Sequence, residues 1–87
     1  MLQFTTHAKT RMNQRGITLE MIELALEYGR YCQDRVTLVS RDIKKLIKKV
    51  PNDIKSKLLK VLDKGGLVVV LSEQYAVITV FNKFKKH

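Results

Sequence analysis

Four polar side chains near the N-terminus, His7, Arg11, Gln14 and Arg15, are spaced to share one side of a helix. At about 100° per residue they fall within roughly one third of the circumference, with Ala8 and Met12 beside them. Imidazole can move a proton near neutral pH, and a guanidinium can pair with two non-bridging phosphate oxygens through parallel hydrogen bonds. Cutting RNA without a metal needs a base for the ribose 2′-hydroxyl proton, cations for the crowded phosphate, and an acid for the leaving 5′-oxygen. In that chemistry His7 would be the acid or base, and Arg11 and Arg15 would hold the phosphate. The bland alternative is that His7 is a surface or packing residue and that Arg11 or Arg15 pairs with Glu20, Glu23 or Glu27 of the next helix.

A second cationic feature lies in the middle of the chain. Between Arg41 and Lys64 nine basic residues face three acidic ones, Asp42, Asp53 and Asp63. Lys44, Lys45, Lys48, Lys49, Lys55 and Lys60 are the candidates for contact with a phosphate backbone, which lysine follows as a point charge without reading sequence. The pairs Lys44/Lys48 and Lys45/Lys49 repel at i, i+4 if one helix carries both, and a polyanion would relieve that repulsion. A merely solvated helix face explains the same lysines equally well. Other chemistries lack their motifs: there is no glycine-rich phosphate loop, no paired-histidine metal helix and no Gly-x-Ser-x-Gly elbow, so neither a cofactor nor a metal is expected. Cys32 reads as a buried structural thiol. Tyr75 and Thr79 read as packing and strand residues that can alternatively face a substrate.

The elements that must position these residues follow from capping and periodicity. Thr6 is the expected N-cap of a first helix that Gly16 ends in the left-handed conformation. Thr18 caps a second, with Met21, Ile22, Leu24, Ala25 and Tyr28 turned inward, Glu20, Glu23 and Glu27 outward, and Gly29 at its end. One short strand is expected at 36–39, with Gln33, Asp34 and Arg35 interrupting the β-leaning run before it. Ile43, Leu46, Ile47 and Val50 mark a helix from Asp42 that Pro51 stops. Asn52 or Asp53 then caps another carrying Ile54, Leu58, Val61 and Leu62, closed by Gly65 and Gly66. Leu67 to Leu71 and Tyr75 to Phe81 flank Ser72, Glu73 and Gln74 as a β-hairpin.

Composition sets the frame. The chain has 87 residues, 45% of them hydrophobic, which suits one domain spanning 1–87, with a frayed basic tail at 82–87. A net charge of +9 favours polyanions, and acidic proteins fit the sign as well. A single cysteine excludes an internal disulfide framework and points to a reducing compartment. The longest apolar run, Leu67 to Leu71, is far short of a membrane span, and Met1 to Gln14 lacks a signal peptide's apolar block. A cytoplasmic protein with no membrane partner is the expectation.

The stretch from His7 to Thr18 carries His-Ala-x-x-Arg-Met-x-x-Arg-Gly-Ile, and with the closing Leu67-Val68-Val69-Val70 and Val77-Ile78-Thr79-Val80-Phe81 it resembles a small bacterial domain family, number 4258 among the domains of unknown function. Such domains resemble RelE-type and MqsR-type toxin ribonucleases, small basic α+β proteins that cut messenger RNA without metal and are held inactive by an antitoxin. The resemblance thus implies RNA and an acidic antitoxin as partners, with His7, Arg11 and Arg15 matching the polar motif and Thr79 the hairpin threonine. Two departures stand out. The family's turn carries a glycine where this chain has Glu73-Gln74-Tyr75, and the paired basic helices lengthen the middle. The combined expectation is an α+β domain of N-terminal helices and two basic helices on a small antiparallel sheet of about three strands. Its function would be metal-independent RNA cleavage or RNA binding, or else non-enzymatic binding of nucleic acid or an acidic protein.

Overall fold

A computed structural model describes residues 3–82. The chain runs β1 (Gln3–Phe4), α1 (Thr6–Arg15), α2 (Leu19–Tyr28), β2 (Arg30–Cys32), β3 (Arg35–Val39), α3 (Ser40–Leu46), α4 (Asn52–Asp63), β4 (Gly66–Leu71) and β5 (Ala76–Asn82). The fold is α+β, as expected. Its sheet has five strands rather than three, in the order β1-β5-β4-β3-β2, and it is mixed, because β1 runs parallel to β5 while the other neighbours are antiparallel. Asn82 belongs to β5, and the rest of the expected basic tail, Lys83 to His87, lies outside the described residues.

The N-cap of α1 is Thr5, one residue earlier than Thr6. Its hydroxyl accepts from the Ala8 amide at 3.0 Å and donates to the Ile78 carbonyl at 2.9 Å, while its own amide donates to Val77 at 3.0 Å. One threonine therefore starts the helix and fastens it to β5. The partnering is needed because the register of β4 and β5 shifts: Val70 pairs with Thr79 and Leu71 with Val77, leaving Ile78 as the extra residue of a β-bulge. Gly16 ends α1 at φ 65°, and Thr18 caps α2 by accepting from Met21, both as the sequence indicates.

The single strand expected at 36–39 is a hairpin. Gln33 and Asp34, which look like an interruption, are its two-residue turn, with Gln33 left-handed at φ 56°. The helix expected from Asp42 to Val50 ends at Leu46. Val50 precedes Pro51, whose ring disfavours helical backbone there, and the Lys48 and Lys49 amides reach back only three residues, to Lys45 and Leu46. Neither Asn52 nor Asp53 caps α4: Pro51 occupies the N-cap, its carbonyl accepting from Lys55, and the Asp53 carboxylate instead takes the Ile54 amide. Tyr75, expected to begin a strand, sits in the turn at φ 63°.

The core gathers Ala8, Ile22, Ile43, Leu58 and Val61 from all four helices onto Val36, Leu38, Leu67, Val69, Val77 and Val80 of the strands. Cross-strand partners share a face, and Val36, Val69 and Val80 are aligned across β3, β4 and β5. The helices thus cover one face of the sheet. Thr37, Val68 and Phe81 form the neighbouring row and point to the other face.

Candidate functional site

The helix that carries the three candidates, α1, forms where it was expected and packs against β5. His7 and Arg15 are exposed and Arg11 is half-buried. Ala8, which lies beside Arg11 and Arg15 on the helix, is fully buried and anchors that edge, while His7 and Arg15 reach solvent. Among the described residues none of the three side chains has a hydrogen bond or ion pair, and the expected pairing with Glu20, Glu23 or Glu27 is absent: Glu20 instead meets Lys57 at 3.6 Å. The shallow groove along α1 is lined by Lys9, Met12, Asn13, Gly16, Ile17 and Thr18, on the far flank from His7. Thr79 pairs with Val70 and points away from the core cluster that holds Ala8. Neither the groove along α1 nor the cavity by the hairpin turns is lined by His7, Arg11 or Arg15.

The lysines are placed differently from their expected arrangement, with consequences for their charge. Lys44 and Lys45 are on α3, whereas Lys48 and Lys49 occupy the turns after it, so the four do not repeat along one helix. Lys55 and Lys60 follow on α4. All six are exposed, and none of their side chains has a hydrogen bond or ion-pair partner among the described residues. The two other lysines of α4 and its end are engaged: Lys57 with Glu20, and Lys64 by donating to the Arg15 carbonyl at 3.1 Å, where it closes the C-terminal end of α1.

The nearest acid is shared with an arginine. Asp42, in the first turn of α3, is held by a two-pronged bond from Arg30, Nε to Oδ2 at 2.7 Å and Nη2 to Oδ1 at 3.0 Å. The hydrogen bond from Arg30 pulls the Asp42 carboxyl below the usual carboxylate range, and partial desolvation opposes that shift. The contribution is complete above the carboxyl's unfolded-chain value and is lost as pH falls through the lowered folded value. Asp42→Asn should therefore reduce thermal stability at neutral pH, and the difference from the wild-type chain should vanish on acidification below that folded value. A difference that stayed constant into strong acid would remove the ion pair as its cause.

Two features were not legible in the sequence. Cys32 is exposed rather than buried, because it ends an edge strand beside the Gln33-Asp34 turn. At the end of the sheet where both hairpin turns meet, a cavity of about 540 Å³ is bordered by Tyr31 and Tyr75. Among the described residues no group of three or more His, Cys, Asp or Glu could hold a metal, and no helix is long and apolar enough to cross a membrane.

One family model matches residues 4–82, and its description is a domain of unknown function, DUF4258. No curated protein and no solved structure matches the chain.

Proposed function

From the premise that the chain belongs to the DUF4258 family, we infer that it is a basic module that binds single-stranded RNA along the phosphate backbone. The observation that supports this reading most is the set of six lysines, Lys44, Lys45, Lys48, Lys49, Lys55 and Lys60, exposed around α3 and α4 and outside every ion pair among the described residues. They lie on α3, on the turns after it and on α4, two helices that pack against each other. A polyanion supplies the missing counter-charge, and the resemblance to RNA-cutting toxins points to RNA among polyanions. Arg11 and Arg15 extend the cationic surface to α1.

Binding is a smaller demand than cutting. A general acid or base must be held within hydrogen-bond reach of its proton by packing or by a fixed partner, whereas His7 is exposed and its side chain has no partner among the described residues. RNA incubated with the protein is therefore expected to be bound and recovered intact. Fragments with 2′,3′-cyclic phosphate ends, produced with chelator present and lost in His7→Ala, would replace this reading with cleavage.

Binding itself is tested by titrating a short oligouridylate at several salt concentrations. Each neutralised phosphate contributes about 0.7 to the slope of log affinity against log salt for a single strand. Lys44→Gln, Lys45→Gln, Lys48→Gln and Lys49→Gln combined should lower the slope by up to ~3, a roughly 50-fold smaller loss of affinity between ~50 and ~200 mM salt. An unchanged slope and affinity would return those lysines to a solvated surface.

A further inference from the structure

The cavity between the hairpin turns is unlike the rest of this basic surface. Its walls include two tyrosines, Tyr31 and Tyr75, the carboxylates Asp34 and Glu73, and the apolar Leu71 and Ile78. The two non-glycine residues with left-handed backbone among those described, Gln33 and Tyr75, both border it. Such conformations cost on the order of 1 kcal/mol and cluster where local structure serves a site. At Tyr75 this chain places an aromatic ring on left-handed backbone that a side chain rarely adopts.

Both rings are open to solvent, Tyr31 at 59% and Tyr75 at 70%. Tyr31 is nevertheless fixed: its hydroxyl donates to the Leu26 carbonyl at 2.8 Å, near the C-terminal end of α2, where helical carbonyls lack internal partners. A ring pinned at its polar end and bare on its face loses little entropy when something stacks on it. The turn that carries Tyr75 is also tied, since the Ser72 hydroxyl accepts from the Gln74 and Ala76 amides and the Leu71 amide donates to the Asp34 carbonyl, joining the two turns.

We propose that this cavity holds one unstacked guanine base of the bound RNA against Tyr31 and Tyr75, with Glu73 accepting from the base edge. This rests on the RNA-binding reading. Carboxylates repel phosphate, so the site takes a part of the strand that carries no charge. Tyrosine faces stack on any base, and the acceptors then choose among them. Guanine offers two adjacent donors, N1–H and the N2 amino group, to a carboxylate's two oxygens. Adenine and cytosine each offer one amino group beside an acceptor, and the uracil edge presents one N–H between two carbonyl oxygens that Glu73 would repel. Asp34 has Arg35 Nε at 3.8 Å, whereas Glu73 has no partner among the described residues, so Glu73 is the acceptor left for a ligand. The volume, about 540 Å³, falls within the ~300 to ~1,000 Å³ usual for small-ligand sites.

The test uses the full chain and oligouridylates of one length whose central nucleotide is guanosine, adenosine, cytidine, uridine or abasic. Guanosine should bind about 5- to 100-fold tighter than the abasic strand, the range for a stacked base, at an unchanged salt slope. Tyr75→Ala should erase that gain and leave the abasic strand unaffected. Tyr75→Asn, which keeps a residue tolerant of left-handed backbone, should do the same and separates ring loss from turn collapse. Glu73→Gln should shrink the preference for guanosine over adenosine. Equal binding of all five strands with the salt slope intact would overturn the base site and leave RNA binding standing, whereas no binding of any strand would overturn both. Tyr75 resonances that shift with an arginine-containing peptide and not with the guanosine strand would assign the cavity to a protein's guanidinium and overturn the proposal.

Discussion

Gly29→Ala should lower stability by about 3 kcal/mol or more, at or above the upper part of the usual range for overpacked sites. The reason is space rather than backbone conformation, since φ at Gly29 is −77°, which any residue adopts. A Cβ there would collide with the Ala25 carbonyl oxygen and lie 2.8 Å from Val36 Cγ1 and 3.0 Å from the Thr37 carbonyl oxygen. Two of these three neighbours are backbone atoms, one in the last turn of α2 and one in β3, so relief requires both reshaping the end of the helix and parting it from the strand. For a domain of this size, 3 kcal/mol corresponds to a fall in Tm of roughly 12 °C or more, and it is a large share of a total stability of about 4–13 kcal/mol. Gly16→Ala makes the contrast. Its left-handed φ of 65° costs an alanine about 1 kcal/mol, and the nearest obstacle, Lys64 Nζ at 3.2 Å, is the end of a flexible side chain. Thermal melts that rank Gly16→Ala as the more damaging change, or a Gly29→Ala Tm within a few degrees of wild type, would mean that α2 and β3 are not in this close contact.

The Gly29 result shows what the sequence could and could not disclose. A glycine after the last inward-facing residue marks the end of α2, and it does end there, but its closeness to Val36 depends on a tertiary approach that no local pattern records. Thr18 and Gly16 were legible for the opposite reason: capping is satisfied within three or four residues of chain. β1 was missed because two residues carry no periodicity, and their pairing with Ala76 and Val77 comes from the far end of the chain. β2 was missed because Gln33-Asp34 lacks the glycine that usually announces a two-residue hairpin turn. The apolar stripe Ile43, Leu46, Ile47 and Val50 was real as a buried set, yet the hydrogen bonds beneath it change from helix to turns before Pro51. For the site, the lysines and the face of α1 could be read from type and spacing. The cavity could not, because Tyr31 and Tyr75 meet only when two turns distant in sequence arrive at one end of the sheet.

Leu38→Ala and Val68→Ala should separate the two faces of that sheet. Both residues are nearly inaccessible, at 0% and 5% exposure, and a ranking by burial alone would treat them alike. Leu38 belongs to the cluster in which all four helices meet the strands, so its truncation leaves a cavity walled by side chains from several elements. A loss of about 2–5 kcal/mol is expected. Val68 stands apart from that cluster, aligned between Thr37 and Phe81 on the face opposite the helices. Its cross-strand partners Thr37 and Phe81 contribute about 0.2–1 kcal/mol per pair, and water can follow when the methyl groups are removed. Val68→Ala should therefore cost about 1 kcal/mol. Urea denaturation of the two variants measures the difference directly, with the denaturant slope showing whether both still unfold in one step. If Val68→Ala matched Leu38→Ala, and its cost grew with protein concentration, the second face would be buried against another copy of the chain in solution, and the one-sided arrangement of helices would be only half of the packed structure.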